Sequence, residues 1–139
     1  MILKATQEII TTPGTLYRVG RRLGQDGLWY DSEGRETGLI HKLTEGAAAA
    51  LPMGQHEIFN SDGYKWISTT DTTEMLPKWF SENDMKELLQ QDYQVFKIEV
   101  SGYRRFNFEI YSHEVFSVHQ MISMDAIDPS IVYPGLKYV

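Results

Sequence analysis

The stretch from Tyr93 to Ser101 constrains the fold more than any other part of the chain. Phe96, Ile98 and Val100 alternate with Lys97 and Glu99, the period-two signature of a strand with one apolar and one polar face. A strand of this kind must bury its apolar face, so it needs neighbours. They follow at once: Phe106 to Ile110 and Glu114 to Met121 read as further strands. Ile122 to Val132, interrupted by Asp125 and Asp128-Pro129, reads as a short last strand and a surface tail. The second half is thus expected to be an antiparallel meander.

The first half carries shorter strand signals divided by turns. Ile9-Ile10 and Leu16 to Val19 flank Pro13-Gly14, and Asp31-Ser32-Glu33-Gly34 separates Leu28-Trp29-Tyr30 from Gly38-Leu39-Ile40. Thr44 is expected to cap a short helix through Ala47 to Ala50, which Pro52 stops near Leu51. His56 to Phe59 and Tyr64 to Thr69 read as a hairpin around Asn60-Ser61-Asp62-Gly63. Two helix starts come next, Asp71 with Glu74 and Ser81 with Asp84, each placing a capping acceptor three residues before an acid. Pro77 is expected to kink or end the first helix. The second, Glu82 to about Gln91, puts Met85, Leu88 and Leu89 on one face for packing on a sheet.

With 139 residues, 42% of them hydrophobic and 23% charged, the chain supports one core, so residues 1–139 are read as a single domain. The class is α+β, mostly antiparallel β-sheets with two or three short helices. Against 19 Asp and Glu stand 13 Lys and Arg; the net charge of -6 disfavours bulk nucleic-acid binding, while a local basic cluster can still hold a phosphate. The absence of cysteine excludes disulfides, thiolate nucleophiles and Cys-ligated metals and fits a reducing compartment. Met1 to Ala5 is followed by Thr and Glu rather than a long apolar run, and no stretch approaches about 18 apolar residues. Neither a secretory signal nor a membrane span is expected, which points to a cytoplasmic location.

Several side chains carry candidate chemistry. Arg18 lies inside the Leu16–Val19 strand pattern, where an unpaired charge is costly and calls for a partner or a ligand; Arg21 and Arg22 read more simply as a basic turn pairing with Asp26 or Glu36. Ser68, Thr69 and Thr70 close a strand just before a helix start and can orient a carboxylate or hold a ribose, although hydroxyl residues are also ordinary in strands and Thr72 or Asp71 can serve as the following cap. Glu114 shares a strand face with Phe116 and Val118, which suits a general base or a carboxylate facing developing positive charge in a cleft; an edge-strand charge facing solvent is the plainer alternative. Glu109 competes for that role. His41, His56, His113 and His119 lack metal-site spacing, and no Gly-x-Ser-x-Gly elbow is present, so no metal and no hydrolase triad is expected. His113 reads as a half-exposed strand residue. Trp29, Tyr30, Tyr64, Trp66, Trp79 and Phe80 are core material by default, and Trp66 or the Trp79-Phe80 pair is also a candidate stacking wall for a flat ring.

The order of Leu16-Tyr17-Arg18, Ile67-Ser68-Thr69-Thr70 and a late-strand Glu114 resembles the Arg, Ser-Thr-Ser, Glu arrangement of the ADP-ribosyltransferase family. That resemblance implies a mostly antiparallel fold split into two small sheets with NAD, the substrate, between them. It also implies roles: Arg18 on the NAD phosphate or ribose, Ser68 orienting Glu114, and Glu114 on the nicotinamide ribose as an oxocarbenium-like state forms. Tyr17, Thr69, Thr70 and Trp79 join Arg18 as candidate NAD-binding residues. Ser112 stands where family members that modify arginine carry Glu or Gln, which weighs against arginine as acceptor, and Thr70 replaces the second Ser of the middle motif. The implied acceptor is a host or cellular macromolecule, a protein target foremost. A reading from another class is a small acidic non-enzymatic binding protein, such as a viral or mobile-element inhibitor that engages a basic host factor.

Overall fold

The structure, a computed structural model, describes residues 6–21, 39, 43–44, 66–108 and 112–136. Strands Leu28–Tyr30 and Gly38–Ile40, the Ala47–Ala50 helix, and the His56–Phe59 half of the hairpin with its turn were expected outside these residues, apart from Leu39, as were Arg22, Glu109, His41 and His56.

Among the described residues the chain forms β1 (Thr6–Ile10), β2 (Gly14–Gly20), β3 (Ile67–Thr69), α1 (Leu76–Trp79), α2 (Glu82–Gln90), β4 (Gln94–Val100), β5 (Tyr103–Asn107), β6 (Ser112–Phe116) and β7 (Met121–Ile127). The architecture is α+β with antiparallel sheets. One sheet has the order β1-β5-β6-β3 and the other β2-β4-β7. Among the described residues the two sheets meet at one bridge, where Tyr17 N–H donates to Thr70 O at 2.7 Å and Thr70 N–H donates to Tyr17 O at 2.9 Å. This junction sets the geometry of everything that follows.

The alternation at 94–100 forms β4, with β2 on one side and β7 on the other. Central placement explains why Phe96 and Ile98 on one face and Val95 on the other are all buried. Phe96 and Ile98 face a cluster with Leu16, Tyr103 and Phe116, which lies between the two sheets. The opposite face of the β2-β4-β7 sheet, through Val19 and Val95, packs on Leu76, Trp79, Met85 and Leu88 of the helices. Burying each such side chain contributes about 1.5–3 kcal/mol, so the helices are held by the sheet rather than by their own propensity.

α2 begins with the capping box its sequence specifies: Asp84 N–H donates to Ser81 Oγ and Ser81 N–H donates to Asp84 Oδ2, each at 3.1 Å. Its Met85 and Leu88 are fully buried. The earlier helix start differs from expectation. Thr72, not Asp71, occupies the N-cap position of a 3-10 turn over Thr73–Met75, with no side-chain cap. Pro77 sits in the first turn of α1 and opens that helix, because a proline there loses no helical hydrogen bond. The expected Glu114–Met121 strand is likewise divided: β6 stops at Phe116, Val118–Gln120 makes a 3-10 turn, and β7 starts at Met121. Ser117 N–H donates to Gln120 Oε1 at 3.0 Å across this turn. Among the described residues no helix is long and apolar enough to cross a membrane.

Candidate active site

Register decides which candidate side chains meet, since opposed residues in an antiparallel pair share a face and neighbours along a strand do not. β6 lies between β5 and β3, with Glu114 opposite Arg105 on one side and Thr69 on the other. Glu114, Arg105 and Thr69 therefore share the face that carries Phe116 toward the space between the sheets. Through the Tyr17–Thr70 bridge the same side continues into β2, where it carries Leu16 and Arg18. Arg18 and Glu114 consequently face one inter-sheet space from two different sheets.

Glu114 is completely buried, and its carboxylate is held at both oxygens. Oε1 accepts the Asp71 backbone N–H at 3.0 Å, and Oε2 accepts Arg105 Nε–H at 3.2 Å. Arg105 Nη2 also donates to Asp71 Oδ2 at 2.9 Å and to Tyr103 Oη at 3.2 Å. Asp71 thus touches the glutamate through its main chain and restrains the arginine through its side chain. Burial pushes the Glu114 pKa above the usual carboxylate range; the Asp71 carboxylate pushes the same way, while the Ser112 hydroxyl, the Asp71 N–H and Arg105 pull it back. For Arg105, burial works against the charge, but Tyr103, Asp71 and Glu114 outweigh it and hold the guanidinium above its ordinary value.

Arg18 has a different environment. It is half-buried, and its Nε is shut off from solvent with no hydrogen-bond partner among the described residues. Burial lowers its pKa to about 10, which registers a charge poorly solvated and uncompensated. The guanidinium folds back over Gly20, where a Cβ would lie 3.0 Å from both Nε and Nη2. The glycine leaves room for that pose.

Of the remaining candidates, Thr69 shares the Glu114 face, while Ser68, Thr70, Tyr17 and Trp79 do not. Ser68 Oγ meets His113 Nε2 at 2.5 Å rather than Glu114, because Ser68 is paired with Val115 and so points away from the glutamate. The hydroxyl on the Glu114 face is Thr69, and its Oγ1 donates to the Glu114 backbone carbonyl at 2.8 Å rather than to the carboxylate. Thr70 is buried at the sheet junction on the Tyr17 side. Tyr17 and Trp79 belong to the cluster between the β2-β4-β7 sheet and the helices, so neither shares the Glu114 face as an NAD-binding wall. Trp79 instead covers His113, with ring centroids 4.8 Å apart. His113, expected to be half-exposed, is 4% exposed. Trp66 carries Arg104 over its ring at 4.5 Å on the Ser68 side, away from Glu114.

Sequence reasoning missed Arg105 and gave Asp71 only a capping role. The available signal was Arg105 flanked by Arg104 and Phe106 in a strand pattern, the same buried-charge argument that singled out Arg18. Among the described residues no group of three or more His, Cys, Asp or Glu is placed to hold a metal ion. No protein-family model, no curated protein and no solved structure matches the chain.

Proposed function

We propose that the chain is an NAD-using enzyme of ADP-ribosyltransferase type, with its site in the inter-sheet space between Arg18 and Glu114. The observation that carries this reading is that the buried Nε of Arg18, without a partner among the described residues, and the fully buried Glu114 carboxylate lie on the same side of two joined sheets. The Arg18 charge is costly where it sits, and a ligand carrying an anionic diphosphate would compensate it while placing its ribose beside Glu114. In this reading Arg18 binds the diphosphate. Glu114 faces the nicotinamide ribose, where its negative charge stabilises the positive charge that develops at the anomeric carbon as the bond to nicotinamide breaks. Nicotinamide leaves with the bonding electrons, and the acceptor nucleophile then forms the new bond to that carbon as its own proton passes to water.

The resemblance to the family supports this reading through Arg18 and Glu114, but the orienting contact expected from Ser68 comes instead from Asp71 N–H and Arg105 Nε–H. We place the reaction in the cytoplasm, with a protein or other macromolecule as acceptor. The test is nicotinamide release from NAD by wild type, Glu114→Ala and Arg18→Ala. A wild-type rate above background that Glu114→Ala abolishes supports the enzyme; equal rates in all three leave a non-enzymatic binding protein.

A further inference from the structure

We propose that Arg105 is a positioning residue for Glu114, anchored by Asp71, that favours the ionised form of this buried carboxylate and fixes its orientation. The inference rests on the reading of Glu114 as the carboxylate at the reacting centre, and it concerns what prepares that group.

A carboxyl group with no solvent access favours its neutral form, yet the proposed chemistry needs the anion. Two kinds of contact oppose that tendency here: N–H donation to the anion and a nearby positive charge. The Asp71 main chain supplies the first. Arg105 supplies both, and among the described residues it is the one cation within ion-pair distance of Glu114. A guanidinium is a rigid fork, so fixing one edge fixes the other. The Asp71 carboxylate and the Tyr103 hydroxyl both bind Nη2, which leaves Nε directed at Glu114 Oε2.

Cross-strand register makes the arrangement a row on one face: Glu8 on β1, Arg105 on β5, Glu114 on β6 and Thr69 on β3. Glu8 is exposed and accepts from Asn107 Nδ2 at 2.6 Å, so the buried end of the row is the Arg105–Glu114 pair. The charged and titratable groups around Glu114 are then Asp71 from the segment after β3, Arg105 and Tyr103 from β5, Glu8 beyond Arg105, and Arg18 on the same side of β2. Ser112 adds a hydroxyl from β6 itself.

The experiment follows the Glu114 carboxyl carbon by NMR through a pH titration of the full chain, with Glu114→Gln to assign it, in wild type, Arg105→Gln and Arg105→Lys. Arg105→Gln should raise the midpoint by about one pH unit, a tenfold change in proton concentration. Arg105→Lys, which keeps the charge but not the fork, should raise it less. Midpoints equal to wild type in the variants that fold would overturn the proposal, and the lysine variant preserves the test if the glutamine variant does not fold. Nicotinamide release separates this inference from the reading beneath it. If NAD is turned over, the acid limb of the rate profile should move with the carboxyl midpoint. A shifted midpoint in a protein that never turns over NAD would sustain the positioning role and reject the NAD reading.

Discussion

Ser68 and His113 are joined across β3 and β6 by a 2.5 Å hydrogen bond, on the face of the sheet opposite Glu114. The bond satisfies a hydroxyl and a buried imidazole beneath Trp79, and it ties β3 to β6 where both strands border the candidate site. Ser68→Ala should therefore act on stability before chemistry. It leaves a buried ring nitrogen without this partner, a loss of about 1–3 kcal/mol. Thermal unfolding should show the loss, while nicotinamide release at a temperature where the variant is folded should stay within a few-fold of wild type. A collapse of the rate with an unchanged midpoint would return Ser68 to the catalytic group.

Glu114 gives the protein a pH dependence of definite sign. Its folded-state pKa is raised, chiefly by burial, so the folded protein holds that proton more tightly than the unfolded chain does. The associated stability is present below the unfolded pKa and is lost as pH rises through the folded value. Glu114→Gln has no such proton. Relative to this variant, the wild type should lose stability as pH rises above the ordinary carboxylate range, as read by urea midpoints. A difference that stays flat over this window contradicts the raised pKa.

How far the sequence already showed this depends on which physical signal each feature uses. The alternation around Phe96 and the Ser81–Asp84 box are local patterns, and both elements form where they were read. Arg18 and Glu114 stood out because a charge in an apolar strand carries a cost wherever the strand is placed. Faces are another matter. Whether Ser68 or Thr69 shares the Glu114 side depends on pairing across 45 residues of sequence, and β3 has only 3 residues, too few to reveal an alternation. The same limit hid Asp71, whose capping signature is genuine sequence chemistry overridden by an ion pair with Arg105.

Arg18 should trade stability for binding. Its Nε is buried without a partner among the described residues, and about 1 kcal/mol of destabilisation is reasonable for a partly exposed guanidinium in this setting. Arg18→Met keeps much of the apolar stem and removes the charge, so the ligand-free variant should unfold at a temperature equal to or above that of wild type. Millimolar NAD should raise the wild-type midpoint by mass action and leave the variant unmoved. A variant that is both less stable and still stabilised by NAD would show that Arg18 is structural.

Gly20 provides the sharper test of the Arg18 pose, because it moves the guanidinium without removing it. Its backbone lies outside the left-handed region, so alanine meets no conformational penalty of that kind. The new Cβ would lie 3.0 Å from Nε and Nη2, tighter than an ordinary van der Waals contact, so the flexible end of the arginine must shift by a few tenths of an ångström. Gly20→Ala should therefore fold with a midpoint close to wild type and weaken NAD binding about tenfold, the effect of a displaced charge-assisted contact worth about 1.4 kcal/mol. Titration calorimetry distinguishes the outcomes. A double variant, Gly20→Ala with Arg18→Met, that binds no more weakly than Arg18→Met alone would place both changes on one interaction, as contacting residues require. Additive losses would mean that the glycine and the arginine act separately, and the anion-binding role of Arg18 would lose its geometric basis.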